Sequence, residues 1–135
     1  MTCVFCTQPS AAGELVFEDG QTWVLLHPDS AVRGHAMVVV RRHVENASDL
    51  SEDEWSHLTR IERVAEQVLL AETKTDRAIL LKLGIQTPHL HLHIYPVSSS
   101  LDRVAVQSII DARVTEPRDA AFGDRVRARL TDLLR

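Results

Sequence analysis

The run His89-Leu90-His91-Leu92-His93-Ile94-Tyr95 sets the tightest limit on how this chain can fold. Histidine alternates with apolar residues, which is the period of a β-strand and not of a helix. On a strand the three imidazoles project from one face, while Leu90, Leu92 and Ile94 point to the other and require a core to cover them. Pro88 fixes its own φ and pushes Thr87 into an extended conformation, which aims the segment that follows. A single histidine here would read as a polar strand face. Three in strict alternation favour chemistry, because imidazole donates protons, attacks electrophiles and binds metal near neutral pH.

The rest of the chain supplies partners for such a strand. Residues 15–18 and 22–26 read as short strands around Asp19-Gly20, a dipeptide favoured in tight hairpins. Gly34 precedes a β-branched run over residues 35–40 that ends at Arg41-Arg42-His43. Ser51-Glu52-Asp53-Glu54 is a capping box, and Trp55, Leu58, Ile61, Ala65, Val68 and Leu69 predict one apolar helix face reaching about Glu72. His57 on that helix reads as a surface residue without a role. Residues 78–83 predict a further strand, and 84–88 a turn into the histidine strand. Phe122, Val126, Leu130 and Leu133 predict a C-terminal helix, while residues 104–113 fit either state. Strands joined by tight turns, with helices set apart, imply an antiparallel α+β fold. At 135 residues the expectation is a single domain over 1–135.

A net charge of −4 argues against general nucleic-acid binding driven by phosphate neutralisation. The longest apolar runs are strand-sized, so no membrane partner is expected. The opening Met-Thr-Cys-Val-Phe-Cys has no basic and apolar leader, and a cytoplasmic protein is the expectation. The two cysteines, Cys3 and Cys6, form C-x-x-C, a spacing compatible with metal ligation, a redox pair or unremarkable thiols. Two thiolates alone do not complete a tetrahedral zinc site.

Three features together resemble the histidine triad (HIT) superfamily: the H-φ-H-φ-H-φ-φ run at residues 89–95 with Tyr95 as its last φ, Gly34-His35 opening a strand that ends at His43, and the N-terminal Cys3/Cys6 pair. The resemblance implies an antiparallel sheet of about five strands with one long helix, and a homodimer. It implies a nucleotide or nucleotide-conjugate substrate, with His91 as nucleophile at the α-phosphorus and a nucleotidyl-histidine intermediate. His93 and His35 match positions that contact the phosphate, and the carbonyl of His89 would orient the His91 ring. By the same resemblance Cys3, Cys6, His43 and His89 would hold a structural Zn²⁺ in a closed Cys₂His₂ set.

Two positions depart from the family pattern. An Asp that holds the ribose usually stands eight residues before the Gly-His histidine; His27 stands there instead, with Asp29 two residues on. The substrate-binding candidates here are therefore Asp29, which takes over the ribose, or His27, with sugar recognition that differs. The loop before the triad is short and apolar, with Ile85 where Gln is usual, leaving Gln86 and Thr87 as possible phosphate donors. The reading is therefore a phosphoramidase, dinucleoside polyphosphate-type hydrolase or nucleotidyl transferase. The alternative is a non-catalytic nucleotide- or partner-binding module on the same scaffold. A catalytic metal on His89, His91 and His93 is disfavoured, because alternate residues of a straight strand lie about 6.5–7 Å apart.

Overall fold

The computed structural model describes residues 3–112 and 119–135. Five strands, β1 (Glu14–Glu18), β2 (Thr22–Leu26), β3 (Ala36–Val40), β4 (Arg77–Leu81) and β5 (His91–Val97), form one sheet in the order β1-β2-β3-β5-β4 with every pairing antiparallel. Helices α1 (Val4–Thr7), α2 (Glu52–Thr73), α3 (Arg103–Asp111) and α4 (Ala120–Leu134) complete the fold. Among the described residues no helix is long and apolar enough to cross a membrane.

The two faces of the sheet differ in character. Ala36, Val38, Leu92 and Ile94 share the face on which α2 and α4 pack, and there they join Leu58, Ile61, Ala65, Val68, Phe122, Val126 and Leu130 in the main core. Each fully buried Leu or Ile of that cluster contributes about 1.5–3 kcal/mol. The opposite face carries Met37 paired with His93 and Val39 paired with His91. There a smaller apolar cluster of Leu25, Met37 and Val39 is covered by Phe5 of α1. The long helix α2 begins as its capping box requires: the Ser51 hydroxyl accepts from the Glu54 N–H and the Glu54 carboxylate accepts from the Ser51 N–H.

Several sequence expectations need adjustment. Strand β5 starts at His91, so His89 lies just ahead of it, and it runs through Pro96 to Val97. Pro96 is tolerated because pairing with β3 has ended by Ile94, leaving only β4 alongside. Trp55 and Leu133, read as core-facing, are 43% and 45% exposed. They sit in the first turn of α2 and the last turn of α4, where helical spacing alone does not reveal that the packing surface has run out. The ambiguous segment 104–113 is helical through Asp111, and its last residue lies outside the described residues. The Asp19-Gly20 hairpin uses no left-handed residue; instead the Asp19 carboxylate accepts from the N–H groups of Gln21 and Thr22 at 2.8 Å. His57 is not idle, since its Nε2 lies 2.7 Å from Asp19 Oδ2 and ties α2 to the hairpin tip.

Gly34 governs how β3 enters the sheet. Its φ is +86°, and a Cβ there would sit 2.7 Å from Thr73 Cγ2 and 3.1 Å from Pro96 Cγ. Both the backbone conformation and the space exclude a side chain. Gly34→Ala is expected to destabilise the protein by about 2–4 kcal/mol in urea unfolding, combining backbone strain with overpacking.

Candidate functional site

Histidines converge on the face opposite the main core. His91 is buried, and its Nδ1 lies 2.6 Å from the carbonyl oxygen of His89. Since a carbonyl only accepts, Nδ1 carries the proton and Nε2 keeps the lone pair. Burial holds the His91 imidazole below its ordinary value, partly opposed by the His89 carbonyl and reinforced by the positive charge of Lys82. The ring is therefore neutral at pH 7, the form in which imidazole is a nucleophile.

Beside it, His93 and His35 are also buried and share a hydrogen bond, His35 Nε2 to His93 Nδ1, at 2.9 Å. With His35 as donor, the proton of a neutral His93 is placed on Nε2. The His91 and His93 rings meet edge to face at 4.8 Å. His35 is in turn stacked on Tyr95 at 3.9 Å and on His27 at 4.4 Å. Strand register thus brings His91 and His93 from β5 together with His35, the residue immediately before β3.

Of the expected substrate-binding residues, His27 adjoins this group through its stacking on His35. His27 follows β2 and accepts the Asp29 N–H at Nδ1, 3.1 Å away. An open groove of about 1280 Å³ begins at His27 and His35 and extends past Arg33 to Phe122 and Arg127 of α4. Its lining includes neither His91 nor His93, so it adjoins the triad instead of containing it. Gln86 and Thr87 lie on the loop between β4 and β5, Gln86 exposed and Thr87 half-buried.

A second cluster lies on the other side of His91. Cys3, Cys6, His43 and His89 bring one donor atom each to within 4.8 Å of one another. His89 Nδ1 is 3.3 Å from Cys3 Sγ, 3.5 Å from Cys6 Sγ and 3.0 Å from His43 Nδ1, and His43 Nδ1 is 3.2 Å from Cys6 Sγ. A zinc tetrahedron with bonds of about 2.0–2.1 Å to nitrogen and 2.3 Å to sulfur has edges of roughly 3.3–3.8 Å. The donor set fits zinc in type and number, and the four distances of 3.0–3.5 Å lie near the lower end of those edges. The tautomer fits as well: His89 Nε2–H donates to the Val40 carbonyl at 2.5 Å, which turns the Nδ1 lone pair toward the thiols. Burial also holds His89 below the usual imidazole range, with the Val40 carbonyl opposing and His43 and His91 adding to the shift.

Sequence reasoning placed Tyr95 only as an apolar end of the motif and passed over Phe5 and the Val40 carbonyl. Phe5 is 2% exposed, with its ring 4.9 Å from His91 and 5.4 Å from His89. Its place inside C-x-x-C was the available signal.

The chain is similar to known proteins in sequence and in fold. The HIT domain family matches residues 8–99. Adenosine 5'-monophosphoramidase HINT3 of Xenopus tropicalis is 27% identical over 110 residues, covering 75% of this chain and 71% of that protein. A hypothetical histidine triad nucleotide-binding protein from Sulfolobus tokodaii superposes with a TM-score of 0.76 at 22% identity, over 97% of this chain and 93% of the other. A Zn-bound histidine triad family protein from Mycobacterium smegmatis gives a TM-score of 0.75 at 20% identity, over 98% and 96%.

Proposed function

This chain belongs to the HIT domain family, and from that premise we propose that it is a nucleotidyl hydrolase or transferase acting at the α-phosphate of a nucleotide conjugate through His91. The observation that carries the reading is the His91 ring, held neutral with Nδ1–H on the His89 carbonyl at 2.6 Å and Nε2 left as its basic nitrogen.

In the first step the Nε2 lone pair of His91 forms a bond to the α-phosphorus. The bond to the leaving group breaks with its electron pair departing on the amine nitrogen or phosphate oxygen, which takes up a proton. The His89 carbonyl becomes a stronger partner as positive charge develops on the His91 ring, so the orienting bond also stabilises the transition state. His93, carrying its proton on Nε2 when His35 donates to its Nδ1, supplies a donor for a phosphoryl oxygen or for the leaving atom. In the second step water attacks phosphorus, and the N–P bond breaks with its pair returning to His91 Nε2. The water's proton passes to His93 Nε2, restoring the one given to the leaving atom, or to solvent where solvent supplied it. The products are a nucleoside monophosphate and the released amine or phosphate. A transferase differs only in that an acceptor hydroxyl, amine or phosphate replaces the water.

The name of the Xenopus relative, a monophosphoramidase, makes adenosine phosphoramidates the first substrates to try. Cys3, Cys6, His43 and His89 would hold zinc as a structural ion, anchoring the N-terminus beside the triad. The assembly proposed is a homodimer. A second reading, a nucleotide-binding module without turnover, draws on His27 standing where the family carries a ribose-binding Asp and on Ile85, 82% exposed, in the loop before the triad.

Rapid acid-free denaturation of the protein during turnover of an adenosine phosphoramidate or a dinucleoside polyphosphate, followed by intact-mass analysis, tests the main reading. The expected result is a protein carrying one nucleotidyl group, acid-labile as an N–P bond should be, mapped to the peptide containing His91. Turnover without any trapped adduct at short mixing times would point instead to direct attack by water.

A further inference from the structure

We propose that Phe5 is a positioning residue for His91, and that α1 is a clamp through which the Cys/His node fixes the nucleophile's ring. The proposal rests on the reading of His91 given above. Phe5 stands between the two thiols, and α1 is only Val4–Thr7, so nothing longer than one helical turn separates the node from the ring. Its side chain is 2% exposed and packs with Leu25, Met37 and Val39 on the histidine face of the sheet. From that seat the phenyl ring lies 4.9 Å from the centroid of His91, tilted by 53°, and 5.4 Å from His89, tilted by 56°.

The contacts around His91 make this seat decisive. The bond from Nδ1 to the His89 carbonyl fixes one edge of the imidazole, but a single hydrogen bond leaves the ring able to rock about its axis. His93 meets it edge to face at 4.8 Å, and Phe5 supplies a further wall. Rocking moves Nε2, the far atom, by more than it moves Nδ1. A displacement near 1 Å at an attacking atom is enough to slow a reaction about 100-fold. The short Nδ1–H bond is buried beside this ring, which makes that proton a reporter for the clamp.

Two substitutions separate positioning from bulk. Phe5→Leu keeps an apolar plug but loses the flat face, and Phe5→Ala removes both. With Zn²⁺ supplied and metal content measured, the rate of adenylate transfer to the protein from an adenosine phosphoramidate should fall about 10-fold in Phe5→Leu and about 100-fold in Phe5→Ala. KM is measured beside the rate: a loss confined to the rate is the expected result, and a rise in KM with the rate unchanged would make Phe5 a substrate contact and overturn the proposal. Proton NMR should show the His91 Nδ1–H resonance exchanging with water faster in Phe5→Leu than in the unaltered protein, and faster again in Phe5→Ala.

A role confined to packing would lower thermal stability while leaving that resonance and the transfer rate where they were, and this result overturns the proposal. If Phe5→Ala fails to fold or to hold metal, Phe5→Leu decides on the same two readouts. If the unaltered protein turns over nothing, the enzyme reading fails by itself, and Nδ1–H exchange still accepts or rejects the clamp.

Discussion

His91→Ala is expected to slow turnover of a nucleotide conjugate by at least about 10⁴-fold while nucleotide affinity changes by less than about tenfold. The loss should be this large because no neighbouring imidazole is built to replace it. His89 is a buried ring with Nε2–H committed to the Val40 carbonyl and Nδ1 turned to the thiols. His93 has its Nδ1 on His35 at 2.9 Å, and a neutral ring with that nitrogen accepting carries its proton on Nε2. His91 has the His89 carbonyl holding its proton on Nδ1, so that Nε2 stays basic and is not committed to the thiols. The substitution also strands the His89 carbonyl, so metal content and the unfolding midpoint are measured alongside, with His91→Gln as a bulkier control. Turnover within tenfold of the unaltered protein would remove His91 from the chemistry. Equal nucleotide binding by both proteins, with turnover by neither, would favour the binding module.

Why the triad was legible and its surroundings were not has a physical basis. Alternation along residues 89–95 is a local property, and it determined which face each side chain took as soon as β5 paired with β3. The capping box at Ser51 and the β-branched run after Gly34 are equally local, and both elements form where they were read. The cluster of Cys3, Cys6, His43 and His89 spans 86 positions of sequence, and spacing alone left the cysteines open among three readings. It took the family resemblance to propose the set, and the fold to bring the four donor atoms together.

What escaped the sequence depends on where packing ends. Trp55 shares the apolar spacing of α2 yet is exposed, whereas Glu62 on the same helix is buried, its carboxyl pushed up to about 7 by burial and the neighbouring Glu66. Residue type ranks these two the wrong way round because Trp55 sits in the first turn, where the packing surface has run out, and Glu62 lies mid-helix over the sheet. Backbone groups escaped as well. The Val40 carbonyl sets the tautomer of His89, and no side-chain pattern announces a carbonyl. The groove running from His27 to Phe122 joins loops around β2 and β3 to α4 from the far end of the chain, a juxtaposition invisible to any motif.

Removing the metal is expected to release the N-terminus before it disturbs the sheet. Ordering a backbone costs about 1–2 kcal/mol per residue, so holding residues 3–8 in place costs roughly 6–12 kcal/mol. Against this α1 offers one buried side chain, Phe5, worth about 2–3 kcal/mol, and a single turn of hydrogen bonds. Apolar packing falls short, and the shortfall is what ligation of Cys3 and Cys6 to His43 and His89 would supply. Elemental analysis of protein purified without chelator should therefore give one zinc per chain. Chelation, Cys3→Ser or Cys6→Ser should lower the thermal midpoint by about 5–15 °C, equivalent to about 2–4 kcal/mol. Amide exchange should become fast across residues 3–8 while β3 and α2 remain protected. This pattern distinguishes an anchoring ion from a catalytic one. A catalytic ion would take turnover with it and leave amide protection at the N-terminus intact, whereas an anchoring ion takes the protection first and reaches turnover only through the ring it lets move.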